Sequence, residues 1–344
     1  MLAQRARVRV VLAAALAALA AAGCAEPAAV GAASPASPRT AAWSPARPAI
    51  AGEPSRDGPP AAAAARRASL QFELNDRPFP SPLLDAVVSG QPTALIVDTG
   101  ASHHVLARWL AEELDLPLST AGDVGVDHAG RSVSISRVEN AKVALAGWGT
   151  VETPALLVVP VPDILQRIGI GGFLAPQALA APGRAVVLDL RSGQMTEAPR
   201  DEAARSLRSR FGEATIAELG RCGGPNQGLE LTARANIEGL AVTLKVDSGA
   251  SQSSLLAAST AGKRLSHRAR GGRSAYAASG KHTVPVLSGV RLQLAGLDAA
   301  ADIDLLPGEP RATCPTDGFV GMDVLRACVL LLADDGGLAA CAPP

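Results

Sequence analysis

Leu95-Ile96-Val97-Asp98-Thr99-Gly100-Ala101-Ser102 and Leu244-Lys245-Val246-Asp247-Ser248-Gly249-Ala250-Ser251 decide how this chain is read. Each octet closes the same local pattern. An extended segment (Leu84–Gln91 in one case, Thr232–Glu238 in the other) turns tightly at a glycine, Gly90 or Gly239, into a second apolar strand that ends on Asp-[Thr/Ser]-Gly-Ala-Ser. A single Asp-Thr-Gly would be no more than an Asp-initiated turn after a strand. Two of them, 149 residues apart and each preceded by the same hairpin, are an internal repeat.

The repeat continues downstream. A helix-like segment follows each motif, at Val105–Leu110 and at Leu255–Ala258. Hairpin turns come next, at Gly130 and Gly280, 32 and 33 residues past the respective aspartates. Apolar-glycine segments then appear at Ile168–Leu174 and Asp317–Leu325, with Gly171 and Gly321 aligned 73 and 74 residues past the aspartates. On that alignment the first copy lacks a polar residue corresponding to Asp323. Both copies close on an apolar strand, Ala185–Leu190 and Cys328–Leu332. Between them, 196–225 reads as an interlobe connection with a short surface helix over Asp201–Leu219.

These motifs resemble the retropepsin-like and pepsin-like aspartic peptidases, with both lobes in one chain; Phe319-Val320-Gly321-Met322-Asp323-Val324-Leu325 carries the likeness furthest in the second half. The resemblance covers roughly residues 68–340. It implies a mainly β fold of two homologous lobes of the closed-barrel type, 68–195 and 226–344, with the site between them. It implies a catalytic pair, Asp98 and Asp247, and supporting turns made by Thr99, Gly100, Ser102, Ser248, Gly249 and Ser251. The glycines leave the backbone free of a Cβ that would block the opposing turn. In the family the Thr and Ser hydroxyls cross-link the two turns. Two carboxyls about 3 Å apart cannot both ionise and share one proton; the split acidity of such a pair comes here with the resemblance. The hairpins around Gly130 and Gly280 would be flaps over an extended peptide. Tyr276, the only tyrosine, is a flap candidate whose plainer reading is a surface strand residue.

The implied activity is peptide-bond hydrolysis without cofactor or metal, by a monomer, since one chain supplies both halves. The alternatives are a peptide-binding protein that keeps the cleft without useful turnover, and a hydrolase of envelope polymers, for which no feature speaks. His103 and His104 follow the first motif, but adjacent histidines point different ways and no second ligand cluster accompanies them. They read as packed beside the cleft or exposed.

The amino terminus has its own logic. Arg5, Arg7 and Arg9 precede an apolar run, Val10–Ala22, too short to span a bilayer stably, and the run ends in Ala21-Ala22-Gly23-Cys24. That ending resembles a bacterial lipobox, which implies removal of 1–23, acylation of Cys24 and anchoring in the cell envelope. Ala25 in place of the Asp associated with inner-membrane retention gives a weak preference for the outer membrane, facing the periplasm. Ala25–Arg66 holds 16 Ala and 8 Pro in 42 residues, a composition that cannot bury a core and reads as a tether over 24–67, with Trp43 exposed.

Composition fits this division. The chain has 344 residues, 32 Lys+Arg and 32 Asp+Glu, and loses three arginines with the leader, which leaves a mature charge of −3. The even formal balance argues against a nucleic-acid binder, which would need a surplus of Lys and Arg. Aromatics are 3%, with 34 Gly and 26 Pro, so Val, Leu and Ala must fill a turn-rich core. Beyond Cys24, the cysteines Cys222, Cys314, Cys328 and Cys341 suggest two disulfides with three connectivities open; Cys328 reads equally as a buried free thiol.

Overall fold

The computed structural model of the chain describes residues 66–119, 124–126, 132–222, 229–277 and 280–342. Cys24, Trp43, the tether before Arg66 and the flap candidate Gly130 lie outside the described residues.

The first half contains β1 (Arg67–Ser69), β2 (Gln71–Leu74), β3 (Arg77–Val88), β4 (Gln91–Val97) and β5 (Val105–Ala107). There follow α1 (Arg108–Glu113), β6 (Val124–Val126), β7 (Ser132–Ser134), β8 (Ser136–Leu145) and β9 (Gly149–Val159). It ends with α2 (Asp163–Arg167), β10 (Ile170–Leu174), β11 (Arg184–Asp189) and β12 (Gln194–Pro199). A middle stretch adds α3 (Arg200–Phe211) and β13 (Ile216–Cys222). The second half has β14 (Glu230–Ile237), β15 (Leu240–Val246), β16 (Ser254–Leu256), α4 (Thr260–Leu265), β17 (Arg270–Ala277) and β18 (Gly280–Leu294). It continues with β19 (Leu297–Leu306), β20 (Gly318–Val320), α5 (Met322–Leu325), β21 (Cys328–Ala333) and β22 (Gly336–Cys341).

The mainly β, two-lobed architecture is borne out. In the first lobe β3-β4-β10-β5-β9-β8 form a sheet that the β3–β8 pairing closes into a ring. In the second, β14-β15-β20-β16-β19-β18 do the same through β14–β18. The parallel pairs β4–β10 and β15–β20 place each aspartate at the mouth of its ring.

A bridging sheet of order β1-β12-β11-β21-β22-β13 runs between the rings, and it is palindromic about the β11–β21 pair, where Val186 faces Leu332 and Asp189 faces Val329. β1, β12 and β11 thus face β13, β22 and β21 across the centre, because a twofold-repeated chain pairs like with like across its own axis. The expected helix over Asp201–Leu219 is shorter than its Ala-rich composition predicts. α3 stops at Gly212 (φ 83°), and Ile216–Leu219 extends as β13 against β22. Strand pairing there satisfies backbone groups that a longer surface helix would leave beside an open sheet edge.

β4 is buried on both faces. Leu95 and Val97 enter the main core while Ala94 and Ile96 enter a second one with Phe79, Val105, Leu157 and Phe173. β15 repeats only half of this: Leu244 and Val246 join the main core, and Lys245 occupies the other face at 1% exposure. The cysteines pair Cys222–Cys314 and Cys328–Cys341, the latter across directly facing positions of β21 and β22, so Cys328 is not a free thiol.

Candidate active site

Each aspartate leaves its strand on a turn that its own backbone closes. Asp98 N–H donates to the Leu174 carbonyl at 2.8 Å and Asp247 N–H to the Val320 carbonyl at 3.0 Å, so β10 and β20 hold the two residues identically. Asp98 Oδ1 accepts from Gly100 N at 2.7 Å and Ala101 N at 3.0 Å; Asp247 Oδ1 accepts from Ala250 N at 3.0 Å.

The two turns are clasped together. Thr99 N–H donates to Ser248 Oγ at 3.0 Å and Ser248 N–H to Thr99 Oγ1 at 2.9 Å. The same hydroxyls then donate onward, Thr99 Oγ1 to the Val246 carbonyl at 2.9 Å and Ser248 Oγ to the Val97 carbonyl at 2.6 Å. All four groups are buried, where an unmade hydrogen bond costs about 1–3 kcal/mol. A relative slip of the lobes therefore breaks four bonds at once. Ser81 Oγ, on β3, adds a fifth tie, to the Gly249 carbonyl at 3.0 Å.

The glycines matter for proximity rather than for backbone freedom, since neither has a left-handed φ. A Cβ on Gly100 would stand 2.6 Å from both carboxyl oxygens of Asp247, and one on Gly249 would stand 2.8 Å from those of Asp98. Each glycine is the floor under the other lobe's carboxyl.

Asp98 and Asp247 are both at 0% exposure, each carboxyl lies against the opposing glycine, and Oδ2 of each has no hydrogen-bond partner among the described residues. Burial pushes Asp98 up to about 6, against the ammonium of Lys245, which pulls it down. Burial, then the Asp98 charge, pushes Asp247 well above the usual carboxylate range, again against Lys245. The consequence is a pair that holds one proton where isolated aspartates would hold none.

The structure corrects the alignment of the two halves downstream. Gly172, Phe173 and Leu174 face β4 as Gly318, Phe319 and Val320 face β15, and Gly172 and Gly318 each pass directly over the neighbouring strand's backbone carbonyl. Gly171 is thus not the counterpart of Gly321; Ala175 is. The first half is three residues longer between motif and return strand, with Leu174 76 residues after Asp98 and Val320 73 after Asp247. The polar counterpart of Asp323, missing on the glycine alignment, is Gln177. At 2% exposure it donates to the carbonyls of Thr99 (3.2 Å), Ala101 (2.6 Å) and Leu229 (3.1 Å). Asp323, raised to about 6 by burial, accepts from Ser253 N at 2.9 Å and Ser253 Oγ at 2.7 Å. Both brace the segment after the aspartate turn, with opposite hydrogen-bond polarity.

The same superposition explains His104. Its Nδ1 accepts from Ala175 N at 3.2 Å, as Ser253 Oγ accepts from Gly321 N at 3.0 Å. Burial, then neighbouring His103, lowers His104 to about 4, which keeps the ring neutral and Nδ1 an acceptor. It is a brace of the first turn. His103 points elsewhere, its Nδ1 2.9 Å from Ser102 Oγ. Ser102 and Ser251 are both buried beside their turns.

Of the flap candidates, Tyr276 sits half-buried on β17 opposite Lys281, and Gly280 (φ 114°) opens β18 on the other arm of that hairpin. The first lobe's hairpin is β6–β7, a separate two-stranded sheet. Neither Tyr276 nor Gly280 is hydrogen-bonded to the aspartates among the described residues.

The sequence reading missed Gln177 and Lys245, and it placed His104 beside the cleft without its role as an acceptor. Of the two missed residues, Lys245 carried a signal, a lone charge in an apolar strand two residues before Asp247. No curated protein matches the chain. Residues 84–174, which hold the first aspartate turn from its entry hairpin through its return strand, match the model of the family described as aspartyl protease.

Proposed function

We propose that the chain is an aspartic endopeptidase that hydrolyses peptide bonds at the Asp98–Asp247 pair. The observation that carries this is the reciprocal clasp: two Asp turns from two lobes, locked by Thr99 and Ser248, with each carboxyl buried against the opposing turn. A structural Asp turn has no use for a second carboxyl against it, since burying the pair opposes folding. The aspartyl protease match over 84–174 supports the same class.

In this reading the ionised carboxyl takes a proton from a water between the pair while the protonated one donates to the scissile carbonyl oxygen. The water oxygen bonds to the carbonyl carbon, giving a diol with no acyl-enzyme. The C–N bond then breaks as a proton passes to the departing amine. Because both carboxyls have no solvent exposure, a peptide reaches them only after the covering segments move, the work assigned to the β17–β18 hairpin and its first-lobe counterpart. The alternative is a peptide-binding protein that keeps the same cleft without turnover.

One assay separates the two. Wild type incubated with a mixed-sequence peptide library is expected to cleave it, with an acid limb of kcat/KM near pH 6 and activity persisting at pH 7, because the pair must lose one of two protons and burial makes that loss late. Absence of cleavage from pH 3 to 8 would leave binding as the function.

We place the enzyme in the cell envelope, tethered by acylated Cys24 through the Ala/Pro-rich segment, as a monomer. The sequence of the amino terminus supports this placement. Cys24→Ser is expected to shift the protein from the membrane to the soluble fraction of lysed cells; an unchanged distribution sinks the anchor.

A further inference from the structure

The two lobes differ at the position that Ile96 holds in the first and Lys245 in the second. Ile96 lies among Phe79, Val105, Leu157 and Phe173. Around Lys245, two residues before Asp247, the equivalent space is ionic. Its Nζ lies 3.1 Å from Glu230 Oε1, and Arg311 binds Glu230 Oε2 from the far side. Lys245 and Glu230 are buried, at 1% and 4% exposure, while the Arg311 side chain is partly exposed. The Phe319 ring centroid is 6.0 Å from Nζ, within reach of a cation–π contact. Arg311 is pinned by the bridge to Cys314 and by the Cys222–Cys314 disulfide.

A buried ion triad is a poor way to gain stability. Desolvation offsets most of the attraction, and an apolar set such as that around Ile96 does the same packing at less cost. What the triad supplies is a net positive charge inside the protein, beside a pair of carboxyls. Glu230, pushed up by burial, is nevertheless held below the usual carboxylate range by Lys245 and Arg311, so it stays ionised and keeps Lys245 in place.

We propose that Lys245, held by Glu230 and Arg311, is an electrostatic positioning residue that sets the pH window in which the Asp98–Asp247 pair carries a single proton. The proposal rests on the peptidase reading for its consequence, not for its physics. Lys245 is the one charged side chain, apart from the aspartates themselves, that acts on both carboxyls among the described residues. From the other elements packed nearby, Glu230 and Arg311 face Lys245. His103 feels the charges of Arg137 and Glu230, and His104 is neutral. A cation favours the ionised form, so Lys245 draws the whole window to lower pH than burial alone would allow.

The test titrates carboxyl-¹³C-labelled aspartates by NMR, assigned with Asp98→Asn and Asp247→Asn, alongside the pH profile of kcat/KM. In Lys245→Met, which leaves Glu230 paired with Arg311, the pair's titration and both limbs of the profile are expected to move to higher pH by roughly one unit. Lys245→Arg, which keeps the charge, is expected to retain the wild-type positions. If Lys245→Met does not fold, Lys245→Gln, which removes the same charge but can still donate to Glu230, carries the same expectation. Titrations unmoved in either folded variant, or moved as far by Lys245→Arg as by Lys245→Met, overturn the proposal. If wild type cleaves no peptide, the carboxyl titration still reads the effect of Lys245, so the failure of one reading is not the failure of the other.

Discussion

Asp98→Asn and Asp247→Asn are each expected to lower kcat/KM by about 10⁴-fold at every pH while leaving the fold intact. The mechanism needs one carboxylate to take a proton and one carboxylic acid to give a hydrogen bond, and an amide performs neither exchange. The two losses should be alike, because the pair is held symmetrically by Leu174 and Val320 and clasped by Thr99 and Ser248. The clasp does not pass through the carboxyls, so it survives either substitution. Stability should move the other way. Both carboxyls have folded-state values raised by burial, so the folded chain binds protons more tightly than the unfolded one. Their favourable contribution is present below the unfolded value near 3.8 and is lost as pH rises through about 6 for Asp98. At pH 7 the wild type therefore bears the cost of a buried charge that the Asn variants lack. Their melting temperatures should exceed wild type by roughly 2–4 °C per kcal/mol recovered, and the gain should disappear near pH 4. Thermal melts at the two pH values, beside the peptide assay, read both effects. Undiminished cleavage in either variant would remove the pair from the mechanism.

Gly100→Ala and Gly249→Ala are expected to cost about 10²-fold or more in kcat/KM without changing any ionisable group. The added methyl of Gly100→Ala meets both oxygens of Asp247 at 2.6 Å, and that of Gly249→Ala meets those of Asp98 at 2.8 Å, both inside van der Waals contact. A buried carboxyl bounded by the clasp has no free space to retreat into, so the pair must separate or the lobes must part. Overpacking of this kind costs about 1–3 kcal/mol in stability, and the misplacement falls on the reacting groups. The informative comparison is Gly90→Ala, at a glycine with φ +86° and nothing within 4 Å of its Cβ position. That change strains its own turn but leaves the pair untouched, so cleavage by the folded fraction should persist. If Gly100→Ala matches wild type in kcat/KM, the proximity argument fails.

How much of this was legible beforehand follows from the range of each interaction. The aspartate turns are local: strand, Asp, hydroxyl, Gly and Ala lie within five residues, and the chemistry demands those residues in that order. The two-barrel architecture was legible because the pattern occurs twice. The register of the later segments was not. Gly171 and Gly321 sit at nearly the same distance from their aspartates, yet pairing with β4 and β15 selects Gly172 and Gly318. Spacing along a chain cannot report a three-residue insertion when glycines flank both candidates. The shortened helix after Pro199 has a similar cause, since β13 becomes a strand only because β22 offers it an edge.

The sequence by itself determined that two like halves each present a carboxyl on a glycine turn, because that information is contiguous and repeated. Tertiary structure alone decided which distant groups meet those carboxyls. Gln177 reaches Thr99 and Ala101 from 76 or more residues away, His104 replaces a serine hydroxyl as acceptor, and Lys245 finds Glu230 and Arg311 across separate elements. Burial and charge pairing are properties of three-dimensional neighbourhoods. They set when the paired aspartates hold their shared proton, and no spacing rule in one dimension contains them.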